Sequence, residues 1–360
     1  MMRKKLMNMI PLLALVLVAC VEVEPFVDLE ANETYEPLDE AGVLSEGAKE
    51  TISHFISTET YFDACVVIRN GQLVYNYGEE HLPFNLASVR KSIFSALYGI
   101  AADRGLIDLD ASLAELGVDD SKNPLTETEK TATIRQLLQA RSGIYIPAAG
   151  ESSGMKRRRP ERGAYLPGEH FYYNNWDFNT LPIILESITG KPVGQLIYEW
   201  LALPTGMRDF QPEDVTYQYV DYTEYPQTRV YMSANDLARI GAVYENEGRW
   251  NGRQVVPEEW IETSTAPVSL QPEDADLLEN ELMEGYAYLW WVDTDADNFW
   301  ADGSGGQFMI VDQQNNLVVV LRNNTGLSPA SYVLYSATER FEGNIRGNEV
   351  YKFIRSKIAQ

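Results

Sequence analysis

The chain has 360 residues, enough for one large domain or two intimate subdomains. Apolar residues make up 45% of it, so a sizeable core is within reach, and the formal charge is −24. That balance argues against nucleic acid as a partner, because binding phosphates needs clustered cations; it says little about fold.

The N-terminus reads as a processing signal. Arg3, Lys4 and Lys5 form a basic head before an apolar run at residues 9–19. That run is too short to span a bilayer and suits the apolar region of an export signal. It ends Leu17-Val18-Ala19-Cys20, which resembles the lipobox of bacterial lipoproteins, where the cysteine is lipidated and becomes the mature first residue. Residues 1–19 are therefore expected to be removed, with Cys20 as a lipid anchor to the membrane of a bacterial cell envelope. The competing reading is an ordinary signal peptide with Cys20 incidental. Residues 20–41 then form a tether, and eight acids without a lysine or arginine at positions 21–40 keep it solvated. Cys65 is the other cysteine, in the strand-like Ala64-Cys65-Val66-Val67-Ile68. It reads as a small buried hydrophobe, with no internal disulfide.

A folded domain is expected over residues 42–358. Residues 45–58 have helical spacing, with Ile52, Phe55 and Ile56 apolar. Residues 64–69 and 72–77 flank Asn70-Gly71, a pair suited to a type I′ turn, and read as a hairpin. Ser88 heads a helical run with Val89, Ile93, Leu97, Ile100 and Ala101 on one face, ended by Gly105. From about residue 110 to 282 the pattern is mostly helix and loop, with helices near 133–140, 179–189, 233–246 and 257–264. Strand character returns at 286–292, 307–311 and 317–321, and a closing helix falls within 330–358. The pattern predicts a sheet built from residues 42–85 and 284–358, with a helical insert at about 88–283.

The chemistry centres on Ser88-Val89-Arg90-Lys91. In a helix, residues three apart share a face, which brings a lysine amine beside a serine hydroxyl. A neutral lysine there can take the serine proton and make it a nucleophile without histidine. A second Ser-x-x-Lys, Ser153 with Lys156, serves as a control. It precedes Arg157-Arg158-Arg159-Pro160 and has no apolar periodicity, so it reads as a loop whose lysine stays hydrated and charged. The same segment matches G-x-S-x-G at residues 150–154, but the strand and helix that a nucleophile elbow needs are not evident around it. His54 and His81 have no metal-like spacing, so neither metal nor cofactor is implied.

A further element, Pro167-Gly168-Glu169-His170-Phe171-Tyr172-Tyr173-Asn174-Asn175-Trp176, carries the resemblance. With Ser88 and Lys91 it resembles the serine β-lactamase and penicillin-binding-protein superfamily, and within that the class C-like esterases and aminohexanoate-oligomer hydrolases. These carry Tyr-x-Asn a few residues after Pro-Gly. Two registers fit, Tyr172 with Asn174 or Tyr173 with Asn175, and the family spacing selects Tyr173 and Asn175. Ser304-Gly305-Gly306 stands where the superfamily places Lys-Thr-Gly or His-Gly-Gly along the cleft. The resemblance implies an α/β (α+β) fold: an antiparallel sheet flanked by N- and C-terminal helices, plus a helical subdomain. It implies Ser88 as nucleophile, Lys91 as base, Tyr173 as proton relay and Asn175 as an orienting residue. The backbone N–H groups of Ser88 and Gln307 would form the oxyanion site. Ser304 replaces the cation that holds a β-lactam carboxylate, which favours small esters or amides lacking that carboxylate. The alternatives are a D-amino-acid peptidase, carboxypeptidase or β-lactamase on the same fold, and a catalytically silent cell-envelope binding protein.

Overall fold

The computed structural model describes residues 44–270, 285–293, 298–326 and 347–358. The expected signal at 1–19, Cys20, the tether at 20–41 and the stretch 330–346 of the closing helix lie outside them.

Helix α1 (Glu46–Glu59) begins where the Ser45 hydroxyl accepts from the Ala48 N–H at 3.2 Å. Strands β1 (Ala64–Arg69) and β2 (Gln72–Gly78) pair across Asn70 and Gly71, whose φ values of 50° and 73° suit a type I′ turn. After β3 (Phe84–Asn85) come α2 (Arg90–Asp103), α3 (Ile134–Leu138), α4 (Ser153–Arg158) and α5 (Asn175–Thr189). Helix α6 (Val193–Ile197) runs through a π turn into α7 (Leu203–Thr205). Strands β4 (Val215–Val220) and β5 (Thr223–Met232) precede α8 (Ala234–Glu245), the short pair β6 (Arg249–Trp250) and β7 (Arg253–Gln254), and α9 (Glu258–Thr265). Six further strands follow: β8 (Ser269–Leu270), β9 (Gly285–Tyr286), β10 (Trp291–Asp293), β11 (Asn298–Gly303), β12 (Gln307–Asp312) and β13 (Leu317–Arg322). Helix α10 (Gly347–Ile358) closes the described chain.

Eight of these strands form one antiparallel sheet in the order β2-β1-β13-β12-β11-β10-β9-β8. Alternate side chains point to opposite faces. Val318 and Met309 lie against α8, where a Cβ on Gly241 would meet the Val318 methyl at 2.5 Å. Phe308 and Trp300 belong to the other face and meet Gly347 and Tyr351 of α10. Helix α10 in turn packs on α1, with Phe55 and Phe353 stacked at 4.1 Å. The sheet is thus covered on both faces, which is why β12 and β13 are buried along their whole length.

Several elements depart from the sequence pattern. The run from Arg90 to Ala101 is buried on every side, so α2 is a central helix rather than an amphipathic surface one. The expected strand at 286–292 is two short strands, β9 and β10, turned at Leu289, whose φ is 66°. The expected loop around Ser153 is helix α4, capped by the Ser152 hydroxyl. Inside the expected helical insert, β3, β5 and β4 form a small antiparallel sheet. Pro226 obscures its period-2 signal, yet the strand tolerates it because the β4 ladder is irregular between Gln218 and Val220.

Arg322 ties the two sheets together. It is fully buried and donates to the Gln307 Oε1 at 2.6 Å, the Met232 carbonyl at 2.9 Å and the Phe84 carbonyl at 2.8 Å. Burial among neutral acceptors lowers its pKa to about 9.

Candidate active site

The turn before α2 is built around a strained residue. Ala87 has φ of 47°, which costs a non-glycine residue about 1–2 kcal/mol. It is held from both sides: its N–H donates to the Asn85 Oδ1 at 3.0 Å, and its carbonyl accepts from the Arg90 Nη1. This conformation places Ser88 in a single 3-10 turn, Ala87–Val89, directly ahead of α2. The end of β11 closes on the same turn. A Cβ on Gly303 would stand 2.6 Å from the Leu86 carbonyl and 3.1 Å from the Ser88 nitrogen, so a glycine is needed for that approach.

Lys91, one helical turn after Ser88, is 2% exposed. Its Nζ donates to the Ser88 Oγ at 3.1 Å and to the Tyr173 hydroxyl at 2.6 Å. It also lies 4.0 Å from the Tyr173 ring centroid and 4.3 Å from that of Phe178. Burial drives its pKa well below the ordinary 10.5, and the charge of Arg90 pushes the same way, while Asp302 opposes them. Tyr173 shifts upward, again through burial, with a hydrogen bond to Ser88 opposing. The Trp291 ring stacks on Tyr173 at 5.2 Å and fixes its orientation. The local sequence explains this placement. Asn174 caps α5 by accepting from the Trp176 N–H at 3.1 Å, so Tyr173 enters from the extended segment just before the helix.

These groups open onto a pocket of about 290 Å³, walled by Ser88, Arg90, Met155, Arg158, Tyr173, Asn175, Gln227, Trp291, Asp302 and Ser304 among others. Asp302 has its pKa pushed up to about 7, chiefly by burial, with Lys91 acting in the opposite sense. Arg90 is 2% exposed, and burial lowers its pKa to about 10.

The remaining predicted residues divide between the pocket and the scaffold. Asn175 is on the pocket wall, but its Nδ2 donates to the Gly150 carbonyl at 2.8 Å rather than contacting Lys91. It orients the loop at Gly150, and its Oδ1 is buried without a partner. In the rival register, the Tyr172 hydroxyl donates to the Met155 carbonyl at 2.9 Å, and Asn174 holds Ile144 and Asp177. Ser304 lines the pocket. Gly305 and Gly306, with φ of 88° and 75°, turn the chain from β11 to β12. Gln307 lies in β12, its side chain donating to the Asn323 carbonyl at 2.8 Å and accepting from Arg322. The stretch facing Ser88 thus begins earlier than the Ser304-Gly305-Gly306 reading expects, at Asp302 and Gly303. The missed strand β11 is the reason: its aromatic Phe299-Trp300 core was the available signal. In the control pair, Ser153 and Lys156 are both exposed. Of Trp176, Trp290, Trp291 and Trp300, only Trp291 is among the pocket residues, and the other three are core.

Comparison with known proteins agrees with this architecture. A protein of Alkalihalophilus pseudofirmus, itself uncharacterized, is 25% identical over 350 residues, covering 89% of this chain and 94% of that one. The 6-aminohexanoate-dimer hydrolase of Paenarthrobacter ureafaciens is 26% identical over 298 residues, 73% of this chain and 72% of that protein. Among solved structures, EstCE1, described as a hydrolase with promiscuous acyltransferase activity, shares the fold with a TM-score of 0.58 at 16% identity. It is matched over 98% of its length and 87% of this chain. The Beta-lactamase family model matches residues 63–334, from β1 through the last strand of the sheet, and the chain is a member of that hydrolase family.

Proposed function

We propose that this protein is a serine hydrolase acting through an acyl-enzyme on small esters or amides. One observation carries the reading: a buried lysine amine, disfavoured in its charged form, stands 3.1 Å from one serine hydroxyl and 2.6 Å from one phenol. Ser88 Oγ bonds to the acyl carbon as its proton passes to the Lys91 Nζ. The carbon–oxygen or carbon–nitrogen bond of the tetrahedral species then breaks as Tyr173, resupplied from Lys91, gives a proton to the leaving group. Water repeats the sequence in reverse and frees the acid.

Two backbone donors are assigned to the oxyanion. The Ser88 N–H is one. The other is the N–H of Ser304 rather than Gln307, because Ser304 lines the pocket beside Gly303 and Gln307 is not among the pocket residues. Where such donors have been removed from other enzymes, each is worth about 3–4 kcal/mol. Arg90 contributes at a distance by holding Lys91 toward its neutral form.

A fluorophosphonate probe followed by peptide mass spectrometry tests the reading. The expected label sits on Ser88 and is lost in Ser88→Ala; a folded protein that takes no label is a binding protein, not an enzyme. Nitrophenyl esters run beside nitrocefin and D-alanyl peptides separate an esterase from a β-lactamase or a D-amino-acid peptidase.

A further inference from the structure

Arg90 has more hydrogen-bonding capacity than its known partner uses. Its Nη1 donates to the Ala87 carbonyl, but Nε and Nη2 are buried and have no partner. Those two nitrogens lie on one edge of the guanidinium, and their N–H bonds run parallel, the geometry that takes both oxygens of a carboxylate. No carboxylate of the described residues pairs with it: the titratable groups acting on it are Tyr173 and Arg229. Asp302, the acid in the pocket, acts instead on Lys91 and Tyr173. A buried guanidinium edge left unpaired is costly, and a ligand oxygen pair that completes it removes that cost.

The surroundings favour an anion. Arg90 is on the wall of the Ser88 pocket, and Arg158 of α4 is on the same wall. Lys156 and Arg157 precede it in the same helix and are exposed, in a chain whose net charge is −24. We propose that Arg90 is the specificity residue of this hydrolase, and that its unpartnered edge turns to a carboxylate carried by the substrate in the Ser88 pocket, so that the preferred esters or amides are acidic. The inference rests on the hydrolase reading above and narrows its substrate class.

Two matched substrate pairs test it in the full chain. Mono-p-nitrophenyl glutarate against p-nitrophenyl pentanoate puts or omits a carboxylate at the end of the same five-carbon acyl chain. Acetoxybenzoate against phenyl acetate does so on the leaving group. The expected result is a preference of about tenfold or more in kcat/KM, mainly through KM, for the carboxylate member of at least one pair. In Arg90→Gln that preference falls to near one, and Arg90→Lys, which keeps the charge without the paired N–H bonds, restores only part of it. Equal turnover within both pairs in the wild type overturns the proposal, whatever the variants do. An Arg90→Gln enzyme that loses both members of each pair equally also overturns it, since Arg90 then serves only to hold the Ala87 carbonyl. If no ester is turned over and Ser88 takes no fluorophosphonate, the hydrolase reading itself fails, and this inference with it.

Discussion

At the scale of single residues, Lys91 stands where its charge costs most, and that sets a trade between stability and catalysis. Its folded pKa is depressed, so between that value and 10.5 the unfolded chain binds the extra proton. The penalty is complete below the folded pKa, shrinks as pH rises from there and disappears above 10.5. Lys91→Met should therefore abolish turnover yet raise the melting temperature at pH 7 by about 2 °C or more, with the gain shrinking toward pH 10.5. A melt lower than wild type at pH 7 would contradict this. The two charges flanking Lys91 make a paired prediction. Asp302 raises its pKa and Arg90 lowers it. The acid limb of the pH profile of kcat/KM should move to lower pH in Asp302→Asn and to higher pH in Arg90→Gln. Shifts in the same direction would show that neither charge acts through Lys91. Asp302 also has its own signature. With a folded pKa of about 7 against 3.8, its stabilising contribution is complete at acid pH and lost as pH rises through 7. Asp302→Asn should melt with the wild type at pH 4 and above it at pH 8. Ser88 and Lys91 were legible in the sequence because their pairing depends only on helical spacing. Asp302 and Arg90 were not, because what singles them out is burial, and burial is made by strands and helices distant along the chain.

At the scale of elements, the site depends on how closely β11 can approach the head of α2. Gly303 sets that distance. Gly303→Ala would drive a methyl against the Leu86 carbonyl, and the strand must retreat from Ser88. Turnover should fall at least about a hundredfold, the scale of losing one oxyanion donor, while overpacking costs about 1–3 kcal/mol of stability. Gly99, on the same helix, is the contrast. A Cβ there would stand 2.2 Å from the Trp260 ring of α9. Gly99→Ala should cost comparable stability by denaturant unfolding and leave turnover far less affected. Equal losses of activity in the two variants would mean that β11 has no special role. The strand that makes this contact was invisible to the sequence reading, which began the cleft segment at Ser304. The hairpin at Asn70-Gly71, the helices that start at Ser45 and Ser233, and β12 and β13 were legible because each carries a local signal.

At the scale of the molecule, the first and last strands of the sheet come from chain segments hundreds of residues apart: β1 pairs with β13, Ala64 opposite Arg322. The sequence showed strands at both ends and a mostly helical middle, which sufficed for the architecture but not for strand order, since order is set by side-chain complementarity across the sheet. The acidic stretch ahead of the domain poses the remaining question at this scale. Cys20 is the proposed site of a lipid, and eight acids with no lysine or arginine follow it at positions 21–40. The full-length protein expressed in a bacterial host should incorporate an alkyne-labelled fatty acid and partition into detergent, and Cys20→Ser should lose both properties while keeping its esterase activity. A Cys20→Ser protein that is still labelled would place the anchor elsewhere. An unlabelled wild type released in soluble form would mean that residues 1–19 act as an ordinary signal and that the tether holds nothing.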